Sequence, residues 1–169
     1  MKKIIILFAT IILISGFTCK VKAQTNLTAS GSAIVVIPIS IANAGNMNFG
    51  NISVGSTAGS VILDPFGVRS VVGGVTLPVL TGTVDNASFT VSGSVSATYS
   101  ITLPSSYTIT SGVKTMTINA FTSDPSGTGT LSSSGSQTLN VGATLNVGAS
   151  QAAGTYTNVT GFSVIVNYN

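Results

Sequence analysis

The side chains that carry most enzyme chemistry are scarce in this sequence of 169 residues. It contains no histidine, and its three acidic residues are all aspartates: Asp64, Asp85 and Asp124. Catalysis near neutral pH usually needs a side chain that titrates in that range or a metal ion. Ser-His-Asp and Cys-His arrangements are therefore impossible, and only a serine beside Lys114 remains as a nucleophile and base. The serine-rich surroundings of Lys114 are ordinary for a strand, so the sequence predicts a protein that is not an enzyme.

The aspartates do not form a site with one another in sequence. Asp64 precedes Pro65, Asp85 precedes Asn86, and Asp124 precedes a proline, which are positions where a short acidic side chain caps a turn. A pair of catalytic carboxylates would have to lie within about 5 to 9 Å of each other, and calcium loops use closely spaced oxygen ligands. The glycine-rich stretches lack the lysine and helix of a phosphate-binding loop. We therefore expect no catalytic residue, no metal and no cofactor.

The first 23 residues have the pattern of a secretory signal peptide. Lys2 and Lys3 precede an apolar run over residues 4–14, and Ala23 ends a stretch typical of signal-peptidase cleavage. The alternative is a retained membrane anchor, but a helix that spans a bilayer needs about 18 to 20 apolar residues. We predict a signal peptide over residues 1–23, a single domain over residues 24–169, no membrane span after cleavage, and a secreted, extracellular or cell-surface location reached through the periplasm.

Removal of this segment changes the charge of the chain. Four of its six basic residues would be lost, which leaves Arg69 and Lys114 against the three aspartates and a net charge of −1. Such a surface cannot neutralise a row of phosphates, so we expect no nucleic-acid partner. Cys19 would be lost too, which leaves no cysteine for a disulfide. Few charges remain to keep copies apart, and self-association is favoured.

Apolar residues alternate with polar ones along most of the remaining chain, as in half-buried strands. Rows of one parity recur in five places: Val35, Ile37, Ile39 and Ile41; Phe89 and Val91; Ile101 and Leu103; Met116, Ile118 and Ala120; Phe162, Val164, Val166 and Tyr168. Glycine, proline, serine and asparagine separate them at short intervals. The pattern predicts an all-β protein of about 8–10 strands, and among such folds we favour an immunoglobulin-like Greek-key β-sandwich.

One hexapeptide is repeated directly, over residues 138–143 and 144–149. Six residues preserve the parity of a strand, so Leu139, Val141, Leu145 and Val147 should share one face of a long strand or tight hairpin. A hexapeptide β-helix is the alternative, but two copies are too few to build a solenoid.

Two sets of residues are candidates for binding. Val35, Ile37, Ile39 and Ile41 present four apolar side chains on one face, so this segment could be a strand donated to a neighbouring subunit or simply the first strand of its own sandwich. Pro38 suits an edge strand in either role. Tyr107 follows a turn and is expected at a loop tip, where it could contact a carbohydrate.

Two stretches resemble known secreted domains. Residues 47–52, of sequence MNFGNI, resemble the start of a family of secreted bacterial domains of unknown function. The Gly-x-Tyr turn at Gly154, followed by the alternating run that ends in Tyr168, resembles the last strand of spore-coat-U-like and chaperone-usher pilin domains. The resemblance implies an immunoglobulin-like sandwich whose sheet accepts a strand from a neighbouring subunit, and it brings no catalytic residue.

These observations predict an exported, non-enzymatic surface protein. We expect a structural subunit of a pilus-like filament or coat that assembles through β-strand pairing. Its partners would be itself or homologous surface subunits, with a periplasmic chaperone as a further candidate. The alternative is a stand-alone adhesin or carbohydrate-binding module.

Overall fold

A computed structural model describes residues 25–169, and the predicted signal peptide over residues 1–23 lies outside this range. The chain divides into a unit that ends at Ile34 and a compact unit, Val35–Asn169. In the first unit, residues 25–34 are exposed and have no regular secondary structure. The second unit carries ten strands, and no helix occurs in the described part of the chain. No helix long and apolar enough to cross a membrane is present among residues 25–169.

The strands follow one another at short intervals, as the turn residues predict. Their bounds are β1 Ser40–Gly45, β2 Ser53–Leu63, β3 Arg69–Thr76, β4 Ala87–Ser92, β5 Thr98–Thr102, β6 Ser106–Ser111, β7 Lys114–Asp124, β8 Thr128–Thr130, β9 Ser136–Val147 and β10 Ile165–Tyr168.

Every pairing between these strands is antiparallel, and the strands form two sheets. The large sheet is organised around β9. One edge of β9 pairs with β7, which pairs in turn with β6. The other edge pairs first with β4 and then with β2, which lie end to end along it and carry β1 and β3 on their outer sides. The small sheet has the order β10-β5-β8. The prediction of an all-β sandwich of eight to ten strands is confirmed.

The repeated hexapeptide forms most of β9, and its alternation supplies the core. Leu139, Val141, Leu145 and Val147 are all at most 3% exposed, whereas Asn140 and Asn146 point to the other face. A single long strand, rather than a hairpin or a solenoid, therefore accounts for the repeat.

Two hydrophobic clusters lie along this strand. The first half of β9 contributes Leu139 and Val141 to a cluster with Tyr99, Leu131 and Val166, which come from the small sheet or lie close to it. The second half contributes Leu145 and Val147 to a cluster with residues of β2 and β7, such as Val61, Leu63, Met116 and Ile118. The second cluster also contains Phe49, from the loop between β1 and β2. We therefore call the first half of β9 the sheet-covered half and the second the loop-covered half, and we call the first cluster the sheet-covered cluster.

A bulge in β7 changes the parity of that strand. The register with β9 shifts between Asn119 and Thr122, and Ala120 has a φ of 45°. Met116 and Ile118 are buried as predicted, but Ala120 is exposed and Phe121 packs toward the core in its place. The predicted row of Met116, Ile118 and Ala120 is therefore wrong at its last member, because an extra residue in a strand reverses the faces beyond it.

The first strand begins later than the alternation suggested. β1 starts at Ser40, so the residues before it are not part of a ladder. Ile39 and Ile41 are half-buried against the sheet-covered cluster, whereas Val35 is 96% and Ile37 62% exposed. Pro38 has no N–H to donate, which is consistent with a ladder that starts only beyond it. The four residues predicted to act together are thus divided between an exposed segment and the domain core.

Candidate functional sites: the cleft and the arm

A cleft of about 710 Å³ lies over the loop-covered half of β9 and the neighbouring strands. Its floor consists of apolar side chains from β6, β7 and β9: Ile109, Met116, Ile118 and Leu145. Two segments without extended pairing, residues 46–52 and 154–162, form its walls. Among residues 25–169, none of those that line it is charged. The cleft is thus a neutral depression with an apolar base.

The tyrosine hydroxyls in the cleft already have partners within the protein. The Tyr107 hydroxyl donates to the Asn158 carbonyl at 2.8 Å. The Tyr156 hydroxyl donates to the Ala152 carbonyl at 2.7 Å and accepts from the Gln151 amide at 2.9 Å. The Tyr107 bond ties the segment 154–162 to β6, and the Tyr156 bonds tie it to residues 151 and 152. The phenols therefore act first as supports of the fold.

Tyr107 does not lie at a loop tip, and that prediction is wrong. It lies in β6, opposite Ile118 of β7, and its ring packs edge-on against Phe162 with centroids 5.8 Å apart. Burial raises the pKa of Tyr107, and a backbone hydrogen bond with Gly161 acts in the opposite direction. Tyr107 nevertheless lines the cleft, so a contact with a ligand there stays a prediction.

The segment MNFGNI at residues 47–52 is a fixed turn at the rim of the cleft. Asn48 and Asp85 exchange backbone hydrogen bonds, and the Asn48 side chain accepts from the Gly50 amide at 2.8 Å. Gly50 has a φ of 67°, and a β-carbon there would collide with the Thr81 carbonyl. The Arg69 guanidinium donates to the carbonyls of Phe49 and Asn51. One of the two basic side chains predicted for the mature chain is therefore used to tie this turn.

Each of the three aspartates lies at a turn, a bridge or a strand end. The Asp64 carboxylate accepts from the backbone amides of Phe66 and Val68 at 2.9 and 2.8 Å, which confirms its role as a turn cap. Asp85 lies at an isolated bridge, and Asp124 ends β7. Within the described range, no three residues of the metal-ligating types come together.

The second candidate is the exposed segment before β1, which we call the arm and define as residues 25–37. Five of its apolar side chains are exposed: Leu27 (98%), Ile34 (91%), Val35 (96%), Val36 (58%) and Ile37 (62%). Folded domains seldom leave a run of neighbouring apolar residues uncovered. The arm is therefore the described feature best suited to contact another molecule.

The root of the arm is fixed by a set of hydrogen bonds that the sequence did not predict. The Tyr168 hydroxyl donates to the Ile37 carbonyl at 2.7 Å and accepts from the Ser94 amide at 2.6 Å. The Ile37 amide donates to the Ser94 hydroxyl at 3.1 Å. We call Ser94 and Tyr168 the clasp. The alternation placed Tyr168 correctly in the last strand but gave no sign of what its hydroxyl contacts.

Several strands of the described chain pair on one side only. β1, β3 and β6 are outer strands of the large sheet, and β8 and β10 are the outer strands of the small one. Part of the outer edge of β6 is covered, because Thr110 and Thr157 exchange backbone hydrogen bonds. Unpaired strand edges can pair with a strand from another chain.

Fold and sites together define an all-β sandwich with an apolar arm and a neutral cleft. The chain belongs to the family described as Domain of unknown function (DUF4402), whose model matches residues 39–168. The match begins two residues after Ile37 and ends with β10, so it covers all ten strands and leaves the arm outside. No curated protein and no solved structure matches the chain. Nothing in these comparisons links it to spore-coat-U-like or pilin domains.

Proposed function

We propose that this protein is an exported, non-enzymatic structural subunit of a surface filament or coat, which assembles through β-strand pairing. The observation that carries the proposal is the exposed arm, in which Ile34 and Val35 are more than 90% exposed and the next residue, Val36, is 58% exposed. A continuous apolar run of this kind is typical of a strand that is buried on both faces. Such burial requires a partner.

The energetics favour the same interpretation. Full burial of one valine, leucine or isoleucine side chain contributes roughly 1.5 to 3 kcal/mol. Bringing two molecules together costs about 4 to 15 kcal/mol before any contact is counted. The five exposed apolar side chains of the arm therefore offer a stabilisation of the size that association requires, and backbone pairing along a sheet edge adds to it.

The chemical inventory agrees with a structural role. The mature chain would have three aspartates and two basic residues, of which Asp64 caps a turn and Arg69 ties the rim of the cleft. A surface with so little charge presents little repulsion between copies. The partners proposed are further copies or homologous subunits, and a periplasmic chaperone could protect the arm before assembly.

Sedimentation velocity of the purified protein over a range of concentrations tests this proposal. We expect concentration-dependent association in the intact protein, and its loss when residues 25–36 are deleted or when Val35→Asn and Val36→Asn are combined. Val113→Asn is the matched control, because Val113 is 92% exposed at the turn between β6 and β7 and lies outside the arm. A protein that stays monomeric at high concentration with the arm intact would contradict the proposal.

A second function has one observation in its favour. The cleft volume lies in the range of small-molecule sites, about 300 to 1,000 Å³, and Tyr107 offers an aromatic face within it. A stand-alone adhesin or carbohydrate-binding module would use this cleft. A glycan-binding screen should then give a hit that is lost in Tyr107→Ala and kept in Tyr99→Phe, since Tyr99 is fully buried away from the cleft.

A further inference from the structure

The arm and the first strand differ in how they are held. Ile39 and Ile41 pack half-buried against the sheet-covered cluster, and β1 pairs with β4 from Ser40 onward. Ile34, Val35 and Val36 are exposed, and no hydrogen bond to their backbone is found in the described structure. The boundary between the two behaviours falls at Ile37, where the clasp binds the chain.

The clasp engages both backbone groups of Ile37. Its carbonyl accepts from Tyr168 and its amide donates to Ser94. Ser94 lies just beyond the end of β4 in the large sheet, and Tyr168 belongs to β10 in the small sheet. The two clasp residues are themselves joined, because the Ser94 amide donates to the Tyr168 hydroxyl. The root of the arm is thus tied to both sheets at once.

The sequence around the clasp leaves room for this contact. A β-carbon on Gly93 would collide with the Tyr168 hydroxyl, so the residue before Ser94 has to be glycine for the phenol to reach the arm. Pro38, directly after Ile37, has no amide and a fixed φ. Ile37 is thus hydrogen-bonded to both clasp residues and is followed by a rigid proline. These two features make it a sharp boundary.

We propose that the clasp of Ser94 and Tyr168 divides the N-terminal segment at Ile37, so that only residues 25–36 are offered to a second copy of this chain while Ile39 and Ile41 stay in their own domain. This inference rests on the proposed function and narrows it. The donated strand is then the apolar run of Ile34, Val35 and Val36, not the alternating set that the sequence suggested. At about 3.3 Å per residue, an extended segment of this length reaches about 40 Å from the clasp, enough to lie along a sheet edge of a neighbouring molecule.

Amide hydrogen exchange at Ile37, followed by NMR on the purified protein, tests the clasp itself. Tyr168→Phe removes only the hydroxyl, and Ser94→Ala removes the acceptor of the Ile37 amide. Each should accelerate exchange at Ile37 by about three- to tenfold, the effect of losing one hydrogen bond of ordinary net strength, while Ile41 in β1 keeps its protection. Tyr156→Phe is the matched control, because it removes a hydroxyl with two hydrogen bonds from a side chain that packs against the other hydrophobic cluster. It should leave amide exchange at Ile37 unchanged.

Association and stability separate the two segments. Val35→Asn combined with Val36→Asn should abolish association and leave the urea midpoint of unfolding unchanged, whereas Ile39→Asn and Ile41→Asn should lower that midpoint. Unchanged exchange at Ile37 in both clasp variants would overturn the inference. So would a loss of association in Ile39→Asn and Ile41→Asn at full stability. Equal, strictly monomeric behaviour of intact and arm-deleted protein would instead refute the proposed function, and the exchange result at Ile37 would still report on the clasp.

Discussion

The two halves of β9 have nearly the same sequence and very different surroundings. Leu139 and Val141 in the first copy of the repeat lie under the small sheet, in the cluster that contains Tyr99 and Leu131. Leu145 and Val147 in the second copy face Met116 and Ile118 in the other cluster, and Leu145 also lines the cleft. The repeat therefore determines the strand and its buried face, but the cover over each half comes from distant parts of the chain.

The largest contrast is expected between Leu139→Ala and Leu145→Ala, which are equivalent positions of the repeat. Leu139 is 0% exposed beneath a sheet that cannot easily move into the space left behind, so its truncation should cost about 3 to 5 kcal/mol. Leu145 borders a cleft walled by loops that can shift, and its truncation should cost about 2 to 3 kcal/mol. Urea unfolding of the two variants measures both values, and equal costs would show that the loops are as rigid a cover as the sheet.

A smaller effect on stability is expected from two tyrosines, Tyr99 in the cluster beside the sheet-covered half of β9 and Tyr107 packed against the cluster beside the loop-covered half. Burial raises the pKa of both Tyr99 and Tyr107. As the pH passes about 10, the phenols ionise in the unfolded chain before they do so in the folded protein. The unfolded state then binds fewer protons than the folded state. The free energy of unfolding should therefore keep its full value below that pH and fall above it.

Phenylalanine variants show which tyrosine causes the loss of stability at alkaline pH. Tyr99→Phe should flatten the dependence of the urea midpoint on pH between 8 and 11, and at pH 8 it should cost about 1 to 2 kcal/mol because the hydroxyl donates to the Gln137 side chain at 2.8 Å. Tyr107→Phe should cost less at pH 8, since its partner is a carbonyl of the loop 154–162. A steeper pH dependence in either variant would contradict the expected sign.

The junction between the halves is the bulge in β7. Ala120 has a φ of 45°, a region that costs a residue with a β-carbon about 1 to 2 kcal/mol and glycine almost nothing. Ala120→Gly should therefore raise stability by roughly 0.5 to 1 kcal/mol, and Ala120→Val should lower it by 1 kcal/mol or more. Thermal unfolding of the two variants measures these changes. Stabilisation by Ala120→Val would show that β7 has no bulge at this position.

The smallest effect is expected in the wall of the cleft. Val159 is fully exposed, so Val159→Ser should change the free energy of unfolding by less than about 0.5 kcal/mol. Val166→Ser in β10 is the comparison, because Val166 is 8% exposed and its substitution places a hydroxyl in the sheet-covered cluster. A large loss at Val159 would mean that the loop is packed more tightly than its exposure indicates.

Alternation was sufficient to predict the fold class and most buried rows. Phe89 and Val91 lie in β4, Ile101 lies in β5, and Val166 of the last row is buried. Parity is a local property, so a single sequence carries it. It failed at Ala120, where one extra residue reverses the faces, and before Ser40, where apolar residues alternate without a partner strand.

The candidate sites were harder to predict because they depend on distant pairs. The clasp joins Ile37 to residues 57 and 131 positions away, and no spacing rule connects them. Tyr107 was placed at a loop tip because a turn precedes it, yet pairing with Ile118 extends β6 through it. The hydroxyl of a tyrosine at a strand end has no sequence signature of its own.

The position of β9 in the chain has a consequence for the order in which the molecule can form. β2, β4 and β7 all precede it, and each depends on β9 for a neighbour on one side. A chain that emerges from its N-terminus must therefore hold these three strands with open edges until residues 136–147 follow. During that interval the open strand edges can pair with a strand from another molecule. Because so few charged residues oppose such contacts, rapid addition of β9 should reduce aggregation during folding.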